Sequence, residues 1–218
     1  IQVIQDLSFS INKGEFVSLT GKSGCGKSTV LKLVAGLVMP SKGTVVSPAQ
    51  TDQTGRSTAF VFQEPTLLPW STVADNVWLP LRLQGQSRPA AQSVITRVLE
   101  QVGLGEFHQS YPAQLSGGMK MRVSIARALV SEPQVLLMDE PFSGVDPISV
   151  AEVQAIVRRL KERGIGVLIT DHNVRETLSI VDRAYLIHQG RVLVSGTPQD
   201  IVNDPESRRH YLGEGFKL

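Results

Sequence analysis

The chain has 218 residues, 41% of them apolar, and a formal net charge of +2, which allows one sizeable core with or without a small attached subdomain. Basic and acidic residues are interleaved without a Lys/Arg-rich run, so composition offers no nucleic-acid surface. No apolar run approaches the ~18 residues of a membrane span, Ile1–Asp6 lacks the basic-then-apolar order of a signal peptide, and the single cysteine, Cys25, excludes an intramolecular disulfide and fits a reducing cytoplasm.

In chain order, Val3–Ile11 reads as strand material broken by polar residues, and Asn12-Lys13-Gly14-Glu15 as a turn. Phe16–Leu19 is a short buried strand running straight into a glycine-rich loop. Apolar residues at helical spacing (Val30, Leu31, Val34, Leu37, Val38) predict a helix over 27–38, ended by Pro40-Ser41-Lys42-Gly43. Residues 44–57 are polar and without a pattern. Thr58–Phe62 is a strand. Residues 72–84 and 88–102 are helical, the second with Ser87 as N-cap and Pro89 in its first turn. Together they predict a helical insert of about residues 71–117 in a single domain spanning 1–218. A further helix follows Gly118.

Val135–Met138 is short and wholly apolar, as a central strand must be. Asp146-Pro147 opens a helix to about Arg163, Gly166–Thr170 is the next strand, and 184–188 with 191–194 form a hairpin around Gln189-Gly190. Thr197-Pro198-Gln199-Asp200 starts a last helix as a capping box. Strands alternating with helices predict an α/β fold: a mostly parallel sheet with a small antiparallel part.

Gly21-Lys22-Ser23-Gly24-Cys25-Gly26-Lys27-Ser28, followed by Thr29, matches the phosphate-binding loop at every fixed position, between a strand and a helix. The glycines let successive N–H groups turn inward on a phosphate, and the helix start adds partial positive charge. Lys27 is placed to reach the β and γ phosphates, and Ser28 to bind Mg²⁺. Cys25 is a small loop residue. The strand 135–138 ends in Asp139-Glu140, where ligands collect on open α/β sheets. Asp139 is expected to hold Mg²⁺, and Glu140 to polarise the water that attacks the γ phosphate. Leu115-Ser116-Gly117-Gly118-Met119 precedes a helix and makes a second anion-seeking helix start. Two such starts exceed what one nucleotide needs in a monomer, unless each ATP is shared by two subunits.

These segments resemble, nearly end to end, an ATPase of the ABC transporter family. Leu115–Met119 is similar to that family's signature segment, with Met119 where Gln is usual. The resemblance implies a P-loop NTPase fold of ABC type, ATP and Mg²⁺ as ligands, a dimer with ATP sandwiched between copies, membrane permease partners, and attachment to the inner face of the bacterial cell membrane. By the same resemblance Gln63 touches Mg²⁺ and senses the membrane partner, Ser143–Asp146 crosses the dimer interface, and His172 contacts the γ phosphate. The family's adenine-stacking aromatic has no counterpart within Ile1–Phe9, and the start is expected to be short by one strand.

Residues 58–130, notably Val61–Trp70 and Leu115–Val123, resemble the nitrate, sulfonate and taurine importer ATPases. From about Phe142 onward, notably Gly144–Val150, Thr170–Leu178 and Tyr211–Leu218, the resemblance is to the lipopolysaccharide-export ATPase. The expectation is a recombinant chimera joined near Asp139–Phe142, with a divergent natural member as its rival, and import as the function with lipopolysaccharide export as the alternative. A soluble, non-transport ABC ATPase remains a further alternative. Trp70, Val77, Trp78 and Leu79 are either a docking contact for the membrane subunits or ordinary core.

Overall fold

A computed structural model describes residues 4–48, 57–216 and 218. Strand β1 (Phe16–Thr20) lies at the centre, wholly buried. It pairs in parallel with β4 (Gly166–Thr170) on one side and β5 (Arg183–His188) on the other. Beyond β4 lie β3 (Val135–Asp139) and β2 (Thr58–Val61), also parallel, and β6 (Arg191–Gly196) closes the far edge antiparallel to β5. The order is therefore β2-β3-β4-β1-β5-β6.

Strands β3 and β4 are apolar on both faces because both are covered. Leu136, Met138, Val167 and Ile169 enter one cluster of buried side chains, and the intervening Leu137 and Leu168 enter a second. This is the two-residue alternation of the pleat. Helix α1 (Lys27–Val34) covers the second cluster with Val30 and Leu31. On the other face lie α4 (Gly117–Leu129) and α5 (Pro147–Glu162), with α2 (Val73–Leu83) and α3 (Arg88–Gln101) packed against α4. Local chemistry sets the helix starts. Thr72 accepts the Asp75 amide, Ser116 the Met119 amide, and Asp146 the Ser149 amide. Ser87 stands at the start of α3 without such a bond. After a short α6 (Val174–Leu178), Thr197 and Asp200 form the expected reciprocal cap on α7 (Pro198–Asn203). The chain then continues through α8 (Pro205–Ser207) into a wide turn over Arg208–Leu212.

Two expectations need correction, and one pair of alternatives divides between residues. Residues 4–11 form no strand: Asp6 bridges Arg191, and the Gln5 and Asp6 amides both reach for the single carbonyl of Gly190, at 3.1 and 3.4 Å. The hairpin tip curls away at Gln189 and Gly190 (φ 48° and 76°), so no ladder continues. Leu7, Phe9 and Ile11 still pack inward on the second cluster. Helix α1 stops at Val34 rather than 38. Gly36 turns left-handed (φ 71°), its amide bonding Leu33 O and the Leu37 amide bonding Lys32 O, the double closure that ends a helix. Finally, Val77 is core (0% exposed), Trp78 packs on it, and Trp70 stands 74% exposed. Parts of the expectations at 1–3, 49–56 and 217 lie outside the described residues.

Candidate nucleotide site

The loop between β1 and α1 closes around its own lysine. Lys27 is buried, and its Nζ donates to Gly21 O at 2.8 Å and Lys22 O at 3.2 Å. Gly24 and Gly26 hold left-handed backbone (φ 78° and 105°), a shape that a Cβ would strain. Gly21 is needed for closeness: a Cβ there would sit 2.4 Å from Ile187 O on β5 and 2.8 Å from Cys25 Sγ. Lys22, Ser23 and Gly24 face outward, and Cys25 packs on the second cluster.

Below the loop, Ser28 Oγ donates to Asp139 Oδ1 at 2.9 Å, and Thr170 Oγ1 donates to the same oxygen at 2.7 Å. The β3–β4 register sets Asp139 beside Thr170. The next residue, Glu140, leaves the strand in left-handed backbone (φ 47°) with its amide on Thr170 O at 2.7 Å. A side chain in this region costs roughly 1–2 kcal/mol, and such strain collects at functional sites. It turns the Glu140 carboxylate towards Gln63 and His172. Gln63 Nε2 donates to Glu140 Oε2 at 3.2 Å and lies 3.4 Å from Ser143 Oγ. His172 Nδ1 faces Glu140 Oε2 at 3.2 Å. Ser28, Gln63, Asp139, Glu140 and His172 thus meet beyond the C-terminal ends of β1, β2, β3 and β4, the edge where α/β sheets bind ligands.

Two residues here were not singled out from the sequence. Asp171, fully buried, accepts the Phe142 and Asn173 amides, and burial holds its pKa above the usual carboxylate value. Its bond to the amide two residues on is an Asx turn, for which Asp171-His172-Asn173 carried the composition. Tyr211, in the turn 208–212, is drawn in behind the loop. Burial pushes its phenol up to about 12, opposed by the Gly21 backbone. Arg127 on α4 ties the segment after Gln63 by donating to Pro65 O and Thr66 O at 2.8 and 2.9 Å.

The remaining expected residues lie elsewhere in the chain. Ser116 Oγ accepts the Met119 amide at 3.2 Å, and no described hydrogen bond joins Ser116, Gly117, Gly118 or Met119 to residues 21–28. The two glycines differ. A Cβ on Gly118 would meet Ser149 Oγ at 2.1 Å, whereas one on Gly117 meets nothing within the chain. Asp146 caps α5, and the Ser149 amide at 3.0 Å holds its carboxyl below the usual range. For a cation, the oxygen donors Ser28 Oγ and Asp139 Oδ1, already within one hydrogen bond of each other, suit Mg²⁺. No group of three or more His, Cys, Asp or Glu residues placed to hold a metal ion lies among the described residues, nor is any described helix long and apolar enough to cross a membrane.

The family model described as ABC transporter matches residues 4–143. A probable ABC transporter ATP-binding protein of Azorhizobium caulinodans is 43% identical over all of this chain and 80% of its own length. The lipopolysaccharide export system ATP-binding protein LptB of Acidithiobacillus ferridurans is 41% identical over 99% of this chain and 92% of its own. Among solved structures, the dimeric ATP-binding cassette MJ0796 in a post-hydrolysis state with ADP and Pi superposes with a TM-score of 0.79 at 29% identity, covering 90% of each chain. CbiO1 of Clostridium perfringens, part of the transporter complex cbiONQ, superposes with a TM-score of 0.84 at 27% identity over 95% of this chain and 86% of its own. With the phosphate loop, the acidic strand end and the capped Ser116 helix in place, this chain belongs to the ATP-hydrolysing, ATP-binding subunits of the ABC transporter family.

Proposed function

We propose that the chain drives a lipopolysaccharide-export-type transporter by hydrolysing ATP between two copies of itself. The observation that carries the hydrolytic part is the convergence of Lys27, Ser28, Asp139, Glu140 and His172 at one edge of the sheet. The amides of Gly21–Thr29 and the Lys27 ammonium bind the phosphates. Ser28 and Asp139 hold the Mg²⁺ that arrives with the nucleotide, with Gln63 beside them. Glu140 orients and deprotonates the attacking water, and His172 steadies the γ phosphate.

Pairing of copies is supported by the separation of the two anion-seeking helix starts. Among the described residues, no hydrogen bond ties Ser116, Gly117, Gly118 or Met119 to the phosphate loop of their own chain. Gly117 leaves open space where a second copy's phosphates can approach. Asp146, at the start of α5, faces the same partner. Buried phosphate charge shared between the two copies favours closure, and hydrolysis with phosphate release weakens it. Residues 71–117 form the helical subdomain that, with Gln63 and the exposed Trp70, meets a membrane permease and places the dimer on the inner face of the cell membrane.

The export reading rests on LptB relatives, at 41%, 38% and 37% identity, whose matches run through 99–100% of the chain and so across residue 140. The importer reading of residues 58–130 and a recombinant join have no such support. Glu140→Gln tests the site: ATP turnover falls at least a hundredfold and an ATP-bound dimer accumulates on size exclusion. Normal turnover by that variant would remove Glu140 from its role. Co-purification with permease subunits supports transport, and a freely soluble, permease-independent enzyme sinks it.

A further inference from the structure

Asp171 is 0% exposed, and the reading above gives its ionisable group nothing to do. A buried carboxylate is costly unless its oxygens are bonded, and here each oxygen serves a different stretch of backbone. Oδ2 accepts the Phe142 amide at 2.9 Å and Oδ1 accepts the Asn173 amide at 2.8 Å. Asn173 Nδ2 adds a parallel tie to Phe142 O at 3.2 Å. The two stretches joined in this way carry Glu140, two residues before Phe142, and His172, one residue before Asn173. Those side chains meet at 3.2 Å. Glu140 also sits in left-handed backbone (φ 47°), a shape that persists only where its surroundings enforce it.

We propose that Asp171 is a positioning residue of the hydrolytic site: its buried carboxylate, bonded to the Phe142 and Asn173 amides, locks the Glu140 and His172 segments together so that the two side chains act as one unit. The proposal rests on the roles given above to Glu140 and His172. Without the lock, the strained turn relaxes and the carboxylate drifts from the water it must orient, while the phosphate loop, built on β1 and α1, is untouched. Asp171→Asn keeps the size of the side chain but turns an NH₂ towards one of the two amides, so one bond is lost and one N–H is left facing a donor.

The expected result is a split. Asp171→Asn lowers kcat for ATP at least tenfold and leaves nucleotide affinity within about twofold. On a His172→Ala background, with single-turnover kinetics to keep residual rates measurable, the same change lowers the rate less than about twofold, because the unit is already broken. Should Asp171→Asn fail to fold, Asn173→Ala, which removes the parallel tie, must show the same pattern with a loss of about threefold or more. Equal losses on both backgrounds, or a loss of nucleotide affinity matching the loss in kcat, overturn the inference and reduce Asp171 to a fold-stabilising residue. If Glu140→Gln and His172→Ala themselves turn over normally, the site reading fails first and the inference falls with it.

Discussion

Replacing Gly118 by Ala places a new carbon 2.1 Å from Ser149 Oγ and 2.3 Å from Ser149 Cβ. Rotation about χ1 of Ser149 can move the hydroxyl away, but Cβ is fixed to the backbone. Either the start of α4 or the start of α5 must shift. Overpacking of this kind costs about 1–3 kcal/mol, and because Cβ cannot rotate away the upper part of that range applies. The intrinsic gain of Ala over Gly in a helix returns up to about 1 kcal/mol. The net loss is about 2 kcal/mol, or a fall in melting temperature of about 4–8 °C for a chain of this size. Ser149→Gly alone costs about 0.5 kcal/mol in helix propensity. It also removes both clashing atoms and leaves Ser149 Cα at 3.6 Å from the new carbon, an ordinary contact. The double variant Gly118→Ala/Ser149→Gly should therefore melt close to Ser149→Gly alone. Urea unfolding of the four proteins in a double-mutant cycle measures the coupling, expected at about 2–3 kcal/mol. If Gly118→Ala melts with the unsubstituted protein, or Ser149→Gly simply adds its own loss, Gly118 is not there to seat α4 on α5.

Its neighbour behaves oppositely. Gly117→Ala has open space within the chain, so the melting temperature holds or rises, while ATP turnover falls at least tenfold if a partner's phosphates approach that face; unchanged turnover speaks against the shared site. Lys27→Ala strips the loop of the cation its Gly21 and Lys22 carbonyls surround, so ATP affinity falls at least tenfold by fluorescent-nucleotide titration, and unaltered affinity contradicts the loop's role. Tyr211 titrates at about 12 in the fold against about 10 unfolded. Its raised pKa leaves stability intact below about pH 10 and removes about 2–3 kcal/mol as pH rises to about 12. Tyr211→Phe should lose less stability over that interval in alkaline unfolding, and identical curves would show that the phenol is not desolvated.

Much of this architecture was readable because local chemistry and global fold agree. Alternating clusters on Val135–Met138 and Gly166–Thr170 demand a sheet covered on both faces, and it is. Asp146 and Thr197 announce the helix starts they cap. Where the reading failed, a longer-range competitor won. Residues 7–11 alternate like a strand, but a strand needs a partner edge, and the curled tip at Gly190 offers one carbonyl instead. Leu37 and Val38 keep helical spacing, yet Gly36 closes α1 first. At the site, Gly21 and Lys27 are legible because spacing alone carries them. The contact of Gln63 with Glu140, and the use of Asp171, depend on which strand ends become neighbours. The sheet order puts β3 next to β2 and β4, a pairing no local pattern encodes.

The left-handed turn at Glu140 sets two demands on one position against each other. Glycine or asparagine rests there without the penalty a glutamate carries, so Glu140→Gly should yield a hardier protein with no hydrolytic power. Any search for heat-tolerant descendants of this chain, run without a turnover requirement, would drift towards discarding the proposed base.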